Sequence, residues 1–238
     1  MARSAAIGVV ALLVACGTTS VEDRSPAPST EASEPEPLYS CFSDAYPEST
    51  WAERRPANRL DHPGRGALQD AIQQADLRGW SLLSATDEQV TVVRELAEPY
   101  IDMIRRTHEI VSVRLVNGAW TLSQWSECAP HRVLDGLGDA ELFLAGPPDP
   151  GSTELALLVM EIGCASGEDA RGRTRLVSLE ETDQAVEILI GVVPRDGAQN
   201  CPSNPTTPVT VSLSAPIGDR HIIDVSVWPP ARVDLSQP

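Results

Sequence analysis

The chain is predicted to be an α+β fold that is mainly β: a small αβ lobe with a β-hairpin, then a five-stranded antiparallel, sandwich-like lobe. Three observations predict it. Short runs rich in Val, Ile and Leu recur between residues 80 and 228, separated by Gly, Pro and Asn turn signals. Helical periodicity is confined to two short stretches, 67–75 and 99–106. The turn-rich Gly146-Pro147-Pro148-Asp149-Pro150-Gly151 divides the body into residues 38–146 and 151–228.

The elements follow in order. Arg3 precedes an apolar core, Ala5–Ala15, too short to span a bilayer and of the length of a signal-peptide h-region. Leu13-Val14-Ala15-Cys16-Gly17 resembles the lipobox of bacterial lipoproteins, in which the Cys is acylated and becomes the mature N-terminus. The resemblance implies a signal peptide over 1–15 and a lipid anchor on Cys16, holding the body at the outer face of the cell membrane. One acyl chain binds a membrane only marginally, so stable anchoring needs more than one. Residues 16–37 are rich in Thr, Ser, Pro and Glu and cannot bury enough surface to fold. As a disordered tether they set the body about 25 Å from the lipid, or about 65 Å if extended as polyproline II.

Residues 38–66 lack periodicity and read as irregular chain pinned by Cys41. Leu68, Ala71, Ile72 and Ala75 share a helical face, so 67–75 is a helix stopped by Gly79. Trp80–Ala85 and Val90–Leu96 form a hairpin around a four-residue loop. Thr86-x-x-Gln89 also fits a helix capping box, but the three valines among residues 90–93 favour strand. Pro99–Arg106 reads as a short helix, with Tyr100, Met103 and Ile104 on one face. Asn117-Gly118 between two apolar runs is a type I′ hairpin signal, and in a continuous register paired residue numbers sum to 235. That register pairs Val113 with Leu122, Ile110 with Trp125 and His108 with Glu127. The strands expected beyond Pro150 are Leu155–Ile162, Arg173–Leu179, Gln184–Val193, Val209–Leu213 and Ile222–Trp228. Pro229-Pro230 opens a loose tail over 229–238.

The formal net charge is −16, and all 18 basic residues are arginine. Nucleic acid, which is bound through neutralised phosphates, is disfavoured as a partner. Cationic or small-molecule ligands and an envelope protein remain compatible. With no lysine there is no Schiff-base or P-loop lysine. Besides Cys16 there are Cys41, Cys128, Cys164 and Cys201, an even number that reads as two disulfides outside the cytoplasm. Four cysteines allow three pairings. Cys41–Cys128 with Cys164–Cys201 is favoured because each bridge then closes within one half of the chain. No C-x-x-C or H-x-x-x-H spacing supports zinc.

The C-terminal half carries Gly163-Cys164-Ala165-Ser166-Gly167, Gly172-Arg173, Glu180-Glu181-Thr182, Cys201-Pro202-Ser203-Asn204-Pro205 and Pro216-Ile217-Gly218-Asp219-Arg220 leading to Asp224. Over about residues 135–228 this is similar to a module that recurs in uncharacterised actinobacterial lipoproteins and secreted proteins. The resemblance implies the compartment and the Cys164–Cys201 pairing, not an activity.

No sequence motif identifies an active site or asks for a cofactor or metal. A serine such as Ser166 with His221 and Asp224 names a hydrolase alternative, although no G-x-S-x-G elbow places the serine. A solute-binding lipoprotein is a further alternative, disfavoured because no βαβ lobes are evident. Arg173, Glu181, Arg220 and Asp224 read as ion pairs fixing strand order. Arg173, Arg220 and Asp224 are also candidate contacts to a carboxylate or phosphate ligand. Trp125 is a candidate ligand contact if no neighbouring element covers it. Asp135–Glu141, with acids around two glycines, fails the EF-hand spacing and reads as a turn. The leading expectation is a non-enzymatic binding or envelope-interaction module.

Overall fold

The computed structural model describes residues 35–42, 44–102 and 104–235. The expected signal peptide, Cys16 and nearly all of the tether lie outside the described residues. Among the described residues no helix is long and apolar enough to cross a membrane.

The fold is mostly β, with two α-helices and several antiparallel sheets. The first half runs β1 (Leu38–Ser40), β2 (Ala45–Pro47), α1 (Glu48–Glu53), a 3-10 turn at Ala57–Arg59 and α2 (Arg65–Ile72). It continues with β3 (Ser81–Ala85), β4 (Gln89–Asp102), β5 (Ile104–Val116), β6 (Ala119–Cys128) and β7 (His131–Arg132). The second half holds β8 (Ala140–Leu144), β9 (Glu154–Glu161), β10 (Thr174–Glu181), β11 (Ala185–Val192), β12 (Thr207–Ser212), β13 (His221–Asp224) and β14 (Ala231–Arg232).

The sheet β3-β4-β5-β6 is covered on both faces. On one face Val90, Val92, Val111 and Val113 pack with Leu68 of α2, Ala57, Leu77 and Trp80. On the other, Val93, Ile110, Leu83 and Cys128 meet Tyr39, Cys41, Tyr46 and Trp51 from the β2-β1-β7 sheet and α1. Double coverage explains why β5 is buried at every position from His108 to Val113. Residues 38–66 are thus not irregular chain. Their two strands have three residues each, too few for a period of two to show, and what holds them is burial of Tyr39, Tyr46 and Trp51.

The β3–β4 hairpin forms as expected, with Thr86 closing it: its N–H donates to the Gln89 carbonyl (2.8 Å) and its Oγ1 accepts from the Gln89 N–H (3.0 Å). The helix expected over Pro99–Arg106 is absent. β4 continues to Asp102 and β5 starts at Ile104, with the ladder interrupted between Glu95 and Tyr100. Pro99, which has no N–H to give a ladder, falls in that interruption. The Asn117-Gly118 hairpin keeps the 235 register from Val116–Ala119 to Val113–Leu122 and then slips by one at a bulge. Ser123 is the extra residue, its Oγ donating to the Ser112 carbonyl (3.1 Å). His108 therefore faces Cys128 rather than Glu127, and Trp125 faces Val111 rather than Ile110.

The C-terminal sheets are β12-β9-β8 and β10-β11-β13-β14, and both bury residues in one core that includes Leu142, Leu157, Val159, Val186, Ile188 and Ile222. Seven strands replace the expected five, and β11 runs parallel to β13. Because β8 pairs with β9, the second core begins before the Gly146–Gly151 turn rather than after it. Over its described residues, 229–235, the tail is not loose either: β14 pairs with β13, Val233 is buried, and Leu144 bridges to Leu235.

Both expected disulfides are present, Cys41–Cys128 and Cys164–Cys201, with Cα–Cα distances of 5.8 and 4.4 Å.

Candidate functional site

The carbonyl of Pro130 accepts the Trp228 N–H (2.8 Å), and the Trp228 ring lies 5.8 Å from that of Tyr39. The C-terminal strand region thus delivers an indole to the first half of the molecule. Beside it a cleft of about 280 Å³ is bounded by Trp51 of α1 and Arg54 just after it, Leu83 of β3, Arg94 and Glu95 of β4, and His108 of β5. α1 ends in a left-handed residue, Arg54, at φ 47°, and this residue carries the cleft's first guanidinium.

Several contacts fix these side chains. Trp51 donates Nε1–H to the Tyr39 carbonyl (3.3 Å), and its ring meets that of Tyr46 edge-on at 6.2 Å and that of His108 at 5.9 Å. Arg54 pairs with Glu95. Arg94 pairs with Glu109 (2.5 Å) and lies 4.7 Å over the Trp80 ring, a cation–π contact. His108 is buried, with Nδ1 within 2.8 Å of Thr107 Oγ1. Burial drives its pKa down to about 4; the Glu95 carboxylate opposes the shift and Arg54 adds to it. At neutral pH the imidazole is uncharged. The cleft therefore offers apolar ring surface, paired charges and a neutral histidine.

The residues singled out in the sequence lie elsewhere. Trp125 is half exposed, and its Nε1–H donates to Glu109 (2.6 Å); α2 covers Trp120 instead. Arg173 is held by Glu161 (2.5 Å) and Arg220 by Glu181 (2.8 Å), so each guanidinium has a carboxylate from its own chain. The Ser214 N–H, followed by Arg220, lowers the Glu181 pKa to about 2. Asp224 is buried against the Ser226 N–H (2.8 Å). His221 Nε2 meets Arg232 (2.8 Å) and Ser166 Oγ meets Gln199 (2.8 Å), so these hydrogen bonds do not link Ser166, His221 and Asp224 to one another. In the 135–141 segment, Glu141 accepts from the Arg105 backbone N–H (3.0 Å) and side chain (3.2 Å), and Gly136 has φ 69°, as a turn requires. Among the described residues no group of three or more His, Cys, Asp or Glu is placed to hold a metal.

The cleft is not legible in the sequence because its lining spans residues 50 to 228 and shares no local spacing. The one local signal was Trp51 close to Arg54 in a segment without strong periodicity.

Comparison with known proteins returns no match: no family model, no curated protein and no solved structure resembles the chain.

Proposed function

We propose that the protein is an extracytoplasmic lipoprotein, anchored through acylated Cys16 at the outer face of the cell membrane, that acts as a non-enzymatic binding module with its ligand in the Trp51–Trp228 cleft. The observation that carries the binding reading is the cleft itself: a concavity of about 280 Å³ with aromatic walls and polar groups fixed by their own contacts. The lipobox resemblance and the two disulfides support the compartment.

Two experiments test the two parts. Substituting Cys16→Ala is expected to move the protein from the membrane fraction to the soluble fraction; retention in the membrane removes the anchor. Native mass spectrometry of protein purified from its own envelope is expected to show a small-molecule adduct that Trp228→Ala loses while both disulfides persist. A wild type with no adduct, or an adduct equally present in the variant, removes the cleft as the binding site.

A further inference from the structure

We infer that the cleft takes an uncharged, polyhydroxylated ligand of the saccharide class; the inference rests on the cleft being the ligand site proposed above. Arg54 is paired with Glu95, and Arg94 with Glu109, before any ligand arrives. An ionic ligand that took Arg94 from Glu109 would strand a carboxylate shielded from water, a large cost, whereas at the Arg54–Glu95 pair, more than half exposed, the cost is small. A net charge of −16 further opposes an anion, and Glu95, the carboxylate lining the cleft, is already paired with Arg54 and so is not free to hold a cation. His108 contributes no charge at neutral pH.

The walls narrow the class further. Trp51, 4% exposed and committed through its N–H to the Tyr39 carbonyl, borders the cleft narrowly, and the half-buried Trp228 indole is the ring the cleft offers a ligand. Leu83 and Val93 lie buried beneath the cleft and leave little apolar surface exposed in it. Flat apolar rings suit the C–H face of a pyranose. A wholly apolar ligand would leave Thr50, Ser81 and the second ring nitrogen of His108 without partners once water was expelled. A hydroxyl avoids this, because it both accepts and donates. It can accept from Arg54 and donate to Glu95 without separating the pair. Glu95 is the one carboxylate among the described residues lining the cleft, whereas glycoside cleavage ordinarily uses two carboxyl groups. The saccharide is held, not cut.

The test is isothermal titration of the mature lipidated chain in nanodiscs with N-acetylglucosamine, chitobiose, maltose and trehalose, against inorganic phosphate and glycine betaine. At least one neutral saccharide is expected to bind saturably at millimolar concentration or below. Trp228→Ala should weaken that binding tenfold or more. Glu95→Gln, which keeps the shape but frees Arg54 from its counter-charge, should weaken the saccharide several-fold and create phosphate binding that the wild type lacks. Wild-type binding of phosphate or betaine without any saccharide overturns the ligand class and leaves the cleft standing. Silence from every probe while Trp228→Ala still abolishes a native adduct overturns the class alone. Silence with no adduct in the wild type overturns both readings.

Discussion

Asp224 is 2% exposed at the end of β13, after Ile222 and Ile223, with its carboxylate bonded to the Ser226 N–H. Burial raises its pKa to about 6; the Ser226 hydrogen bonds and Arg105 of β5 oppose the rise, and Glu141 of β8 adds to it. Tyr39 of β1 also feels this carboxylate. Asp139 is raised to about 6 by burial alone, while burial pushes His131 and His108 down to about 4. The signs oppose one another. An acid whose folded pKa is raised holds its proton more tightly when folded, so its stabilisation is present below the unfolded value and lost as pH rises through about 6. A histidine whose folded pKa is depressed stabilises above its unfolded value and loses that contribution as pH falls toward about 4. Two acids and two histidines therefore offset one another in the wild type between these limits. Asp224→Asn removes one acid from the balance. Its stability relative to the wild type is expected to improve from pH 4 to pH 7, by up to about 3 kcal/mol. Urea denaturation of both proteins across that range measures it, and a pH-independent difference refutes the linkage. The sequence shows an aspartate after two isoleucines. It does not show that the charges of Glu141 and Arg105 act on it, because those come from other strands.

At the scale of elements, legibility followed strand length and continuity. β9 and β11 are long enough for their apolar pattern to show, and both lie within two residues of the expected limits. The Asn117-Gly118 turn was legible because two residues specify it. The bulge at Ser123 was not, since either register near the turn keeps a plausible hydrophobic face, and the slip is settled where β6 must bring Cys128 to Cys41. The strand through Pro99 read as helix because Tyr100 and Ile104 recur at helical spacing, and a break in the ladder absorbed the proline. One helix contact gives a direct test. A Cβ on Gly64, at the start of α2, would come 2.9 Å from Trp120 Cε3, whereas a Cβ on Gly66 would meet nothing within 4 Å. Gly64→Ala should cost about 1–3 kcal/mol by forcing helix and sheet apart. Gly66→Ala should stabilise by about 0.5–1 kcal/mol by reducing backbone freedom in the unfolded chain. Equal denaturation midpoints for the two variants would show that α2 does not sit closely on Trp120.

Over the whole molecule, the parts that meet at the cleft are far apart in the chain. Trp51 precedes the central sheet, His108 lies within it, and Trp228 follows nearly all of the second half. Local pattern cannot bring them together, and the pairing of cysteines was the one long-range restraint readable in advance. The two bridges do different work. Cys41–Cys128 spans 87 residues, and both its cysteines are buried in the cluster that contains Trp51 and is joined by Trp228. Cys164–Cys201 spans 37 residues, and both its cysteines are exposed. Loop entropy alone gives about 4.6 kcal/mol for the first and about 3.9 kcal/mol for the second, a small difference. Location separates them further, because replacing Cys41 and Cys128 by serine also puts two hydroxyls into an apolar cluster. The Cys41→Ser/Cys128→Ser protein should therefore lose well over the entropic difference relative to Cys164→Ser/Cys201→Ser. It should also lose the adduct attributed to the cleft, which the second variant retains. Comparable thermal midpoints, or loss of the adduct in the second variant alone, would mean that the first bridge does not hold the walls of the cleft in place.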